Sequence, residues 1–248
     1  MQEGVSIEVH DLHKSLKKNV ALKGVSMNFS PRHIHGVIGP EGAGKTTLLR
    51  HLMGLLRADQ GQIHYRENSS EVPFAEIRPR LAYMPQTQSL YAELSIQEHL
   101  EFFKILYNLA PDVYRERREK LLQITRLEEF TGRVASQLSG GMYKKLGLAC
   151  ALLSAPKILL LDEPTNGVDP LSRRDFWELL YGLKEENITM IVTTSYMDEA
   201  FKCEQVHLLF DGRTLLEGTP QELLKNQKCE TFDELFLKYD SSLSDVPG

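Results

Sequence analysis

Apolar and polar residues alternate over residues 5–9 and 20–29, a pattern typical of strands with one buried face. Residues 34–39 (IHGVIG) form a short apolar run that ends in glycine. A loop follows, and the apolar residues of the next stretch, KTTLLRHLMGLL, recur at helical spacing. This order predicts a strand, a loop and a helix. Further short strands are predicted over 61–66 and 81–84.

The pattern becomes helical over residues 87–155. Ser95 and Glu98 have the spacing of a capping box, which predicts the start of a helix. Apolar residues then recur near helical spacing at Ile96, Leu100, Phe103 and Tyr107. The charged stretch YRERREKLLQITRL, after Pro111, also predicts a helix, so this region is predicted to be a helical insert.

Strands and helices alternate again after the insert. Residues 157–162 (KILLLD), 188–194 (ITMIVTT) and 206–210 (VHLLF) predict strands, with helices around 172–185 and from about residue 196. This alternation predicts a mostly parallel α/β core, and the early alternating segments predict an antiparallel N-terminal piece.

The composition narrows the class of protein. Hydrophobic residues make up 42% and charged residues 25% of the 248 residues, as in ordinary globular proteins. The formal net charge of −5 gives no support to general nucleic-acid binding, so no nucleic-acid partner is expected. The N-terminal stretch lacks the apolar core of a secretory signal, and no apolar run is long enough to span a bilayer. If the protein acts at a membrane, we expect another chain to supply the membrane part.

Residues 39–46 read GPEGAGKT and satisfy the pattern G-x-x-x-x-G-K-[ST] between a predicted strand and a predicted helix. Glycines let backbone N–H groups approach phosphate oxygens, and the following helix directs its positive end at the same anion. Lys45 can reach the β- and γ-phosphates, and the Thr46 hydroxyl can bind Mg²⁺. The alternative is a glycine turn that matches by chance. The predicted ATP-binding residues of this loop are Gly39, Pro40, Glu41, Gly42, Ala43, Gly44, Lys45, Thr46 and Thr47.

An apolar run that ends in two carboxylates provides a second candidate. Asp162 would hold the magnesium through water and add to the ATP-binding residues, and Glu163 would act as general base on the attacking water. Alone this pattern is weak, because apolar strands often end in acidic turns. Its position downstream of the phosphate loop favours the functional interpretation.

Residues 138–142 (LSGGM) resemble the signature of the ABC ATPase family, and the resemblance covers nearly the whole chain with the motifs in the family's order. It implies that Gln86 is the Q-loop glutamine, which contacts magnesium and senses the transporter. It also implies that Asp169 belongs to the D-loop at a dimer interface, and that Ser195, within TTSYMDEA, is at the catalytic switch position.

The signature makes physical sense as half of a split site. In the family, two cassettes dimerise head to tail, so the signature of each closes over the ATP of the other. A serine hydroxyl and backbone N–H groups before a helix form a second anion-binding arrangement. The alternative is a plain serine-capped helix after a glycine turn. The residues assigned to the partner's ATP are Ser139, Gly140, Gly141 and Met142.

Three positions depart from the family's pattern. Ser195 stands where histidine is usual, and a hydrogen bond to a charged group is worth roughly 1.5–3 kcal/mol, so we expect turnover slower by about 10- to 100-fold. Leu16 aligns with the aromatic residue that stacks on adenine. Glu41, where asparagine is common, is expected to point away from the phosphates.

The predicted fold is α/β: a P-loop NTPase core with a mostly parallel sheet and flanking helices, an N-terminal antiparallel β subdomain and a helical signature subdomain. We expect a single ABC ATPase domain over the whole chain. Its predicted parts are the RecA-like core with the antiparallel β piece (1–86 and 156–230), the signature-bearing insert (87–155), and a C-terminal helix and tail (231–248), frayed from residue 240.

The stretches LYAELSIQEHLEFFKILYNL, LSGGMYKKLGLACAL and GVDPLSRRDFW are similar to the drug-export branch, in particular the first cassette of tandem-cassette exporter ATPases of the YbhF type. The resemblance implies an ATPase that uses ATP and Mg²⁺ to drive export of a drug-like or hydrophobic substrate. It implies two partners, a second cassette (identical or different) and integral membrane transporter subunits. The expected location is cytoplasmic, peripheral at the cytosolic face of the inner membrane.

Two alternatives to this motor remain open. One is a largely non-hydrolysing, ATP-dependent clamp that forms half of an asymmetric cassette pair. The simpler alternative to an asymmetric pair is an ordinary homodimer in which Ser195 is a tolerated variant. The other is a membrane-free ABC ATPase that acts on ribosomes.

Overall fold

The computed structural model describes residues 4–17, 19–87 and 89–244. The chain divides into two compact units. The first unit comprises Met1–Ser6, Ser30–Arg32 and Tyr65–Met190. The second unit comprises Ile7–Phe29, His33–His64 and Ile191–Gly248.

The described residues form ten strands in two sheets, together with eight α-helices. The strands are β1 (Val5–Leu16), β2 (Asn19–Phe29), β3 (Ile34–Ile38), β4 (Gln60–Glu67), β5 (Ser70–Val72), β6 (Leu81–Met84), β7 (Ile158–Asp162), β8 (Thr189–Thr194), β9 (Gln205–Phe210) and β10 (Arg213–Gly218). The helices are α1 (Lys45–Leu52), α2 (Phe74–Ile77), α3 (Ile96–Leu106), α4 (Pro111–Thr125), α5 (Gly140–Leu152), α6 (Pro170–Gly182), α7 (Pro220–Gln227) and α8 (Phe232–Ser244).

The second unit is built on β3, whose five residues are all buried. Strand β3 pairs in parallel with β9, with Ile38 opposite Leu208, and β9 pairs with β10 in antiparallel orientation. A continuous apolar run fits a strand covered on both faces. Helix α1 is the next element after β3, and it buries its own apolar residues, Leu48, Leu49 and Leu52. The phosphate loop therefore stands between a buried strand and an anchored helix.

The first unit contains the parallel pair β6 and β7, with Tyr83 opposite Leu160. Helix α5 packs against α3, α4, α6 and β6. Side chains fix the starts of these helices: Ser95 forms the predicted capping box with Glu98 before α3, and Ser139 caps α5. Each cap satisfies backbone N–H groups that a helix leaves without an intrahelical partner. Helix α5 thus has neighbours on several sides and a defined first turn.

The predicted strands and helices are present, with differences at several elements. The helix predicted from residue 196 is a short 3₁₀ helix, Met197–Lys202. Helix α8 continues to Ser244, so the prediction of a frayed tail from residue 240 is wrong up to that point, and residues 245–248 lie outside the described chain. The prediction missed β5, α2, β10 and α7.

Strand β10 had a signal in the sequence. Asp211 and Gly212 form the turn before it, with φ angles of 45° and 72°. An Asp-Gly pair between two apolar runs favours a tight hairpin turn of this kind. In the described part of the chain, no helix combines the length and apolarity needed to cross a membrane. The prediction of one domain over the whole chain stays a prediction.

Candidate functional site

Glycines give the loop after β3 its shape. A Cβ on Gly39 would lie 2.0 Å from the carbonyl oxygen of Leu209, too close for any side chain. Gly44 has φ +105°, in the left-handed region that glycine favours, and a Cβ there would lie 2.6 Å from the carbonyl oxygen of Ala21. The Gly39 amide donates to the carbonyl of Thr194 at 3.3 Å. The backbone of this loop is therefore held close to its neighbours, and larger residues do not fit.

The N-terminus of α1 suits an anion. Gly44 is the N-cap and provides no side-chain hydrogen bond, and the first turn contains no acidic residue. The Lys45 side chain is buried, and its Nζ donates to the carbonyl oxygens of Gly39 at 2.7 Å and Pro40 at 2.9 Å. Uncapped amides at a helix start, together with an ammonium on the same loop, fit phosphate oxygens. Glu41 is exposed.

The other predicted residues of the second unit lie at the ends of helices and strands. Thr46 and Thr47 are half-buried in the first turn of α1, and the Thr47 carbonyl is bonded by Nδ1 of His51 at 2.7 Å. Ser195 is half-buried in the bend that follows β8. Leu16, at the end of β1, has 38% of its surface exposed, so this apolar side chain is accessible to a ligand.

Two carboxylates at the end of β7 are held by neighbours in the first unit. Asp162 is fully buried, and its Oδ2 accepts a hydrogen bond of 3.0 Å from the Tyr83 hydroxyl. Glu163 is 5% exposed, and its Oε2 accepts from the side-chain amides of Gln86 at 3.0 Å and Asn166 at 3.2 Å. Burial of carboxylates is costly unless hydrogen bonds satisfy them, so these donors stabilise both groups.

The backbone at Glu163 is strained. Its φ is 45°, in the left-handed region that residues other than glycine rarely adopt. Strain of this kind persists where the surroundings fix the conformation, and it is found often at functional sites. This strained residue is also in direct contact with Gln86, a second predicted catalytic residue.

The predicted signature residues form the start of α5. The Ser139 Oγ accepts from the Met142 amide at 3.3 Å, and both Ser139 and Gly140 are exposed. Gly141 is buried, and a Cβ there would lie 2.5 Å from the Ser172 hydroxyl. The signature thus presents a hydroxyl and an exposed backbone, while its second glycine allows α6 to approach.

Asp169 has a structural contact of its own. Its Oδ1 accepts from the amides of Leu171 at 3.1 Å and Ser172 at 3.0 Å, which makes it the N-cap of α6. Hydrogen bonds from Ser172 lower the pKa of the Asp169 carboxyl. The predicted D-loop residue therefore fixes the first turn of a helix.

Sequence reasoning missed four side chains of this region. Tyr83 and Asn166 donate to the carboxylates at the end of β7, and Tyr143 and Lys144 of α5 bond the backbone that follows β6. Asn166 lies three residues after its partner Glu163, whereas the other three residues lie 53 to 79 residues from theirs. The signals in the sequence are the position of Tyr83, three residues before Gln86, and the place of Asn166 in the predicted D-loop.

Comparison with known proteins decides the family. A family model described as "ABC transporter" matches residues 22–166, more than half of the chain. The chain belongs to the ABC transporter family. ATP binding, and ATP hydrolysis coupled to transport, are the general activity of such cassettes.

Curated relatives of the cassette include proteins named for multidrug transport and for drug resistance. The "Probable multidrug ABC transporter ATP-binding protein YbhF" of Escherichia coli (strain K12) is 41% identical over 200 residues, which cover 81% of this chain and 35% of that protein. The "Daunorubicin resistance ATP-binding protein DrrA3" of Streptomyces coeruleorubidus is 35% identical over 227 residues, covering 91% of this chain and 71% of that protein. The cassette spans about a third of the length of YbhF. These relatives agree with the predicted drug-export branch.

Solved structures confirm the fold class. A structure described as the ATP binding subunit of an ABC transporter matches with a TM-score of 0.80 at 28% identity, and the match covers 94% of this chain and 98% of that chain. The parallel pairs β3–β9 and β6–β7 and the antiparallel pair β1–β2 are consistent with a P-loop NTPase core and an antiparallel β piece.

Proposed function

We propose that this cassette binds ATP with magnesium and hydrolyses it to drive export through membrane subunits. The observation that supports this most strongly is the phosphate loop, in which the start of α1 has no side-chain cap and the Lys45 ammonium bonds the loop carbonyls of Gly39 and Pro40. Residues 39–47 would hold the triphosphate through backbone amides, with Lys45 balancing its negative charge. Leu16 would cover the adenine ring through apolar contact alone.

We assign the metal to oxygen ligands. In the first unit, Asp162 and the amide oxygen of Gln86 are hard donors of the kind that Mg²⁺ prefers. The family resemblance implies the Thr46 hydroxyl as a further ligand. The Gln86 side-chain nitrogen donates to Glu163, so the amide oxygen is the atom of this side chain that would bind the metal. When bound, Mg²⁺ neutralises charge on the phosphates.

Glu163 would orient and deprotonate the attacking water. The amides of Gln86 and Asn166 both donate to its Oε2, so the direction of the carboxylate is fixed. A general base must hold its acceptor oxygen within hydrogen-bonding distance of the proton it removes. This arrangement supports a hydrolytic role rather than nucleotide binding alone.

We propose a second cassette, identical or different, as the partner. Ser139, Gly140, Gly141 and Met142 would contact the ATP of that partner, and Asp169 would lie at the interface. The exposed hydroxyl and backbone at the start of α5 support this role, because they present donors to an anion.

Membrane subunits and a drug-like or hydrophobic substrate are proposed from the relatives, which are named for multidrug transport and daunorubicin resistance. The proposed location is the cytosolic face of the membrane, reached through these subunits. A tandem arrangement with another cassette is a further proposal, supported by the partial coverage of YbhF.

The second candidate is an ATP-dependent clamp with a slow site, half of an asymmetric pair. Ser195 at the switch position favours it, because a serine hydroxyl is short and carries no charge.

Steady-state ATPase assays of the wild type and Glu163→Gln test the proposal. The substitution keeps the size of the side chain and removes its basicity. We expect Glu163→Gln to bind ATP as the wild type does and to hydrolyse it at least about a hundredfold more slowly. Equal rates for the two proteins would contradict the motor function and favour the clamp.

A further inference from the structure

The second turn of α5 holds the backbone after β6 at two points. The Tyr143 hydroxyl oxygen accepts a hydrogen bond of 2.8 Å from the Leu90 amide. The Lys144 Nζ donates to the carbonyl oxygen of Gln86 at 3.4 Å. Consecutive residues of one helix thus bond a donor at Leu90 and an acceptor at Gln86.

Gln86, whose backbone carbonyl accepts this bond, is also the residue whose side chain bonds the proposed base, Glu163. The side-chain amide of Gln86 donates to Glu163, while its backbone carbonyl accepts from Lys144. A shift of the backbone at Gln86 would therefore move the amide away from the carboxylate. Lys144 is separated from Glu163 by a single residue in this chain of hydrogen bonds.

Charge supports the same arrangement. Lys144 is half-buried, and its pKa is lowered by burial, while the negative charges of Glu163 and Asp162 act in the opposite direction. An ammonium that senses both carboxylates offsets part of the cost of their burial. The adjacent Lys145 has a different environment, with its Nζ 3.9 Å from Asp175 on α6.

We propose that Tyr143 and Lys144 are positioning residues of the hydrolytic site. They fix the backbone at Leu90 and Gln86, so that the Gln86 amide orients Glu163. This inference rests on the proposed hydrolysis of ATP by the cassette. Neither residue is assigned a contact with the nucleotide.

Lys144→Met and Lys145→Met form a matched pair for the kinetic test, because each removes one ammonium from the same helix. We expect Lys144→Met to lower kcat about tenfold with KM for ATP within about twofold, since orientation of the base changes and nucleotide binding does not. Lys144→Arg should recover kcat to within about threefold, and Lys145→Met should retain the wild-type kcat. Thermal unfolding of each variant shows whether it is folded.

Hydrogen exchange of the nucleotide-free chain gives a readout independent of activity. In Tyr143→Phe the Leu90 amide loses its acceptor, so we expect it to exchange at least about tenfold faster. Unchanged exchange, an unchanged kcat in Lys144→Met, or an equal loss in Lys145→Met would overturn the inference. A wild type that hydrolyses ATP no faster than Glu163→Gln would instead overturn the proposed function on which it rests.

Discussion

The side-chain amide of Gln86 donates a 3.0 Å hydrogen bond to Oε2 of Glu163. The two residues follow β6 and β7, which are parallel neighbours, so their side chains emerge at the same edge of the sheet. A residue expected to contact magnesium therefore also touches the expected base. Any ligand that draws the Gln86 amide elsewhere would release one of the two donors on Glu163.

Gln86→Ala tests this contact. We expect kcat to fall about tenfold with a smaller change in KM, because the base loses a donor that orients it. Steady-state kinetics with ATP as the varied substrate measure both constants. Thr87→Ala, an exposed neighbour, is the control and should match the wild type. A wild-type kcat in Gln86→Ala would contradict the positioning role of the amide.

Tyr83→Phe tests the support of Asp162. The substitution removes the hydroxyl that donates to a fully buried carboxylate, and hydrogen bonds to charged groups are worth about 1.5–3 kcal/mol. We expect the free energy of unfolding, measured in urea, to fall by an amount in that range. Tyr91→Phe, in which the tyrosine is 55% exposed, should change it by less than about 0.5 kcal/mol. Equal effects would show that Tyr83 contributes nothing specific.

His99 predicts a pH dependence of stability. Nδ1 donates to the Ser95 carbonyl at 2.9 Å and Nε2 accepts from the Tyr91 amide at 3.0 Å, so the neutral ring satisfies both neighbours. Burial lowers its pKa from 6.5.

As the pH falls below 6.5, the unfolded chain takes up a proton on His99 before the folded chain does. The contribution of this residue to stability is therefore complete above that pH, and it is lost as the pH falls through the lowered pKa. Urea unfolding of the wild type and His99→Gln between about pH 7.5 and about pH 5 measures the difference. A pH slope that is the same in both proteins would contradict this role.

Ser195→His tests the slow-site hypothesis. Histidine restores the residue that the family usually has at the switch position, and we expect ATP hydrolysis to increase by about tenfold or more. Ser195→Ala is the control for loss of the hydroxyl. The rates are measured for the chain alone and with its partner cassette. No increase in either setting would favour a tolerated variant in an ordinary cassette.

The phosphate loop and the carboxylates could be predicted from the sequence because each motif consists of residues that are adjacent in the sequence. The pattern over 39–46 specifies a turn that requires glycines, and in the structure a Cβ at Gly39 or Gly44 would clash with a neighbouring carbonyl oxygen. The capping box at Ser95 is equally local, and it is present.

The contacts that position these groups could not be predicted in this way. Tyr143 lies 53 residues from Leu90 in sequence, and Tyr83 lies 79 residues from Asp162. Such pairs meet only because β6, β7 and α5 pack together, and no spacing rule encodes that packing. Strand β10 is a different case, because the Asp211-Gly212 turn before it is a local signal that the sequence contains.

Calorimetric titration of the chain with Mg-ATP tests the central claim most directly, with Lys45→Ala and Arg50→Ala as the matched pair. Both substitutions remove one positive charge from α1, but Lys45 bonds the loop and Arg50 is exposed in the last turn. We predict a clear binding heat for the wild type and Arg50→Ala, and affinity weaker by at least about tenfold for Lys45→Ala. No heat from the wild type, or equal affinity in Lys45→Ala, would contradict nucleotide binding on this loop.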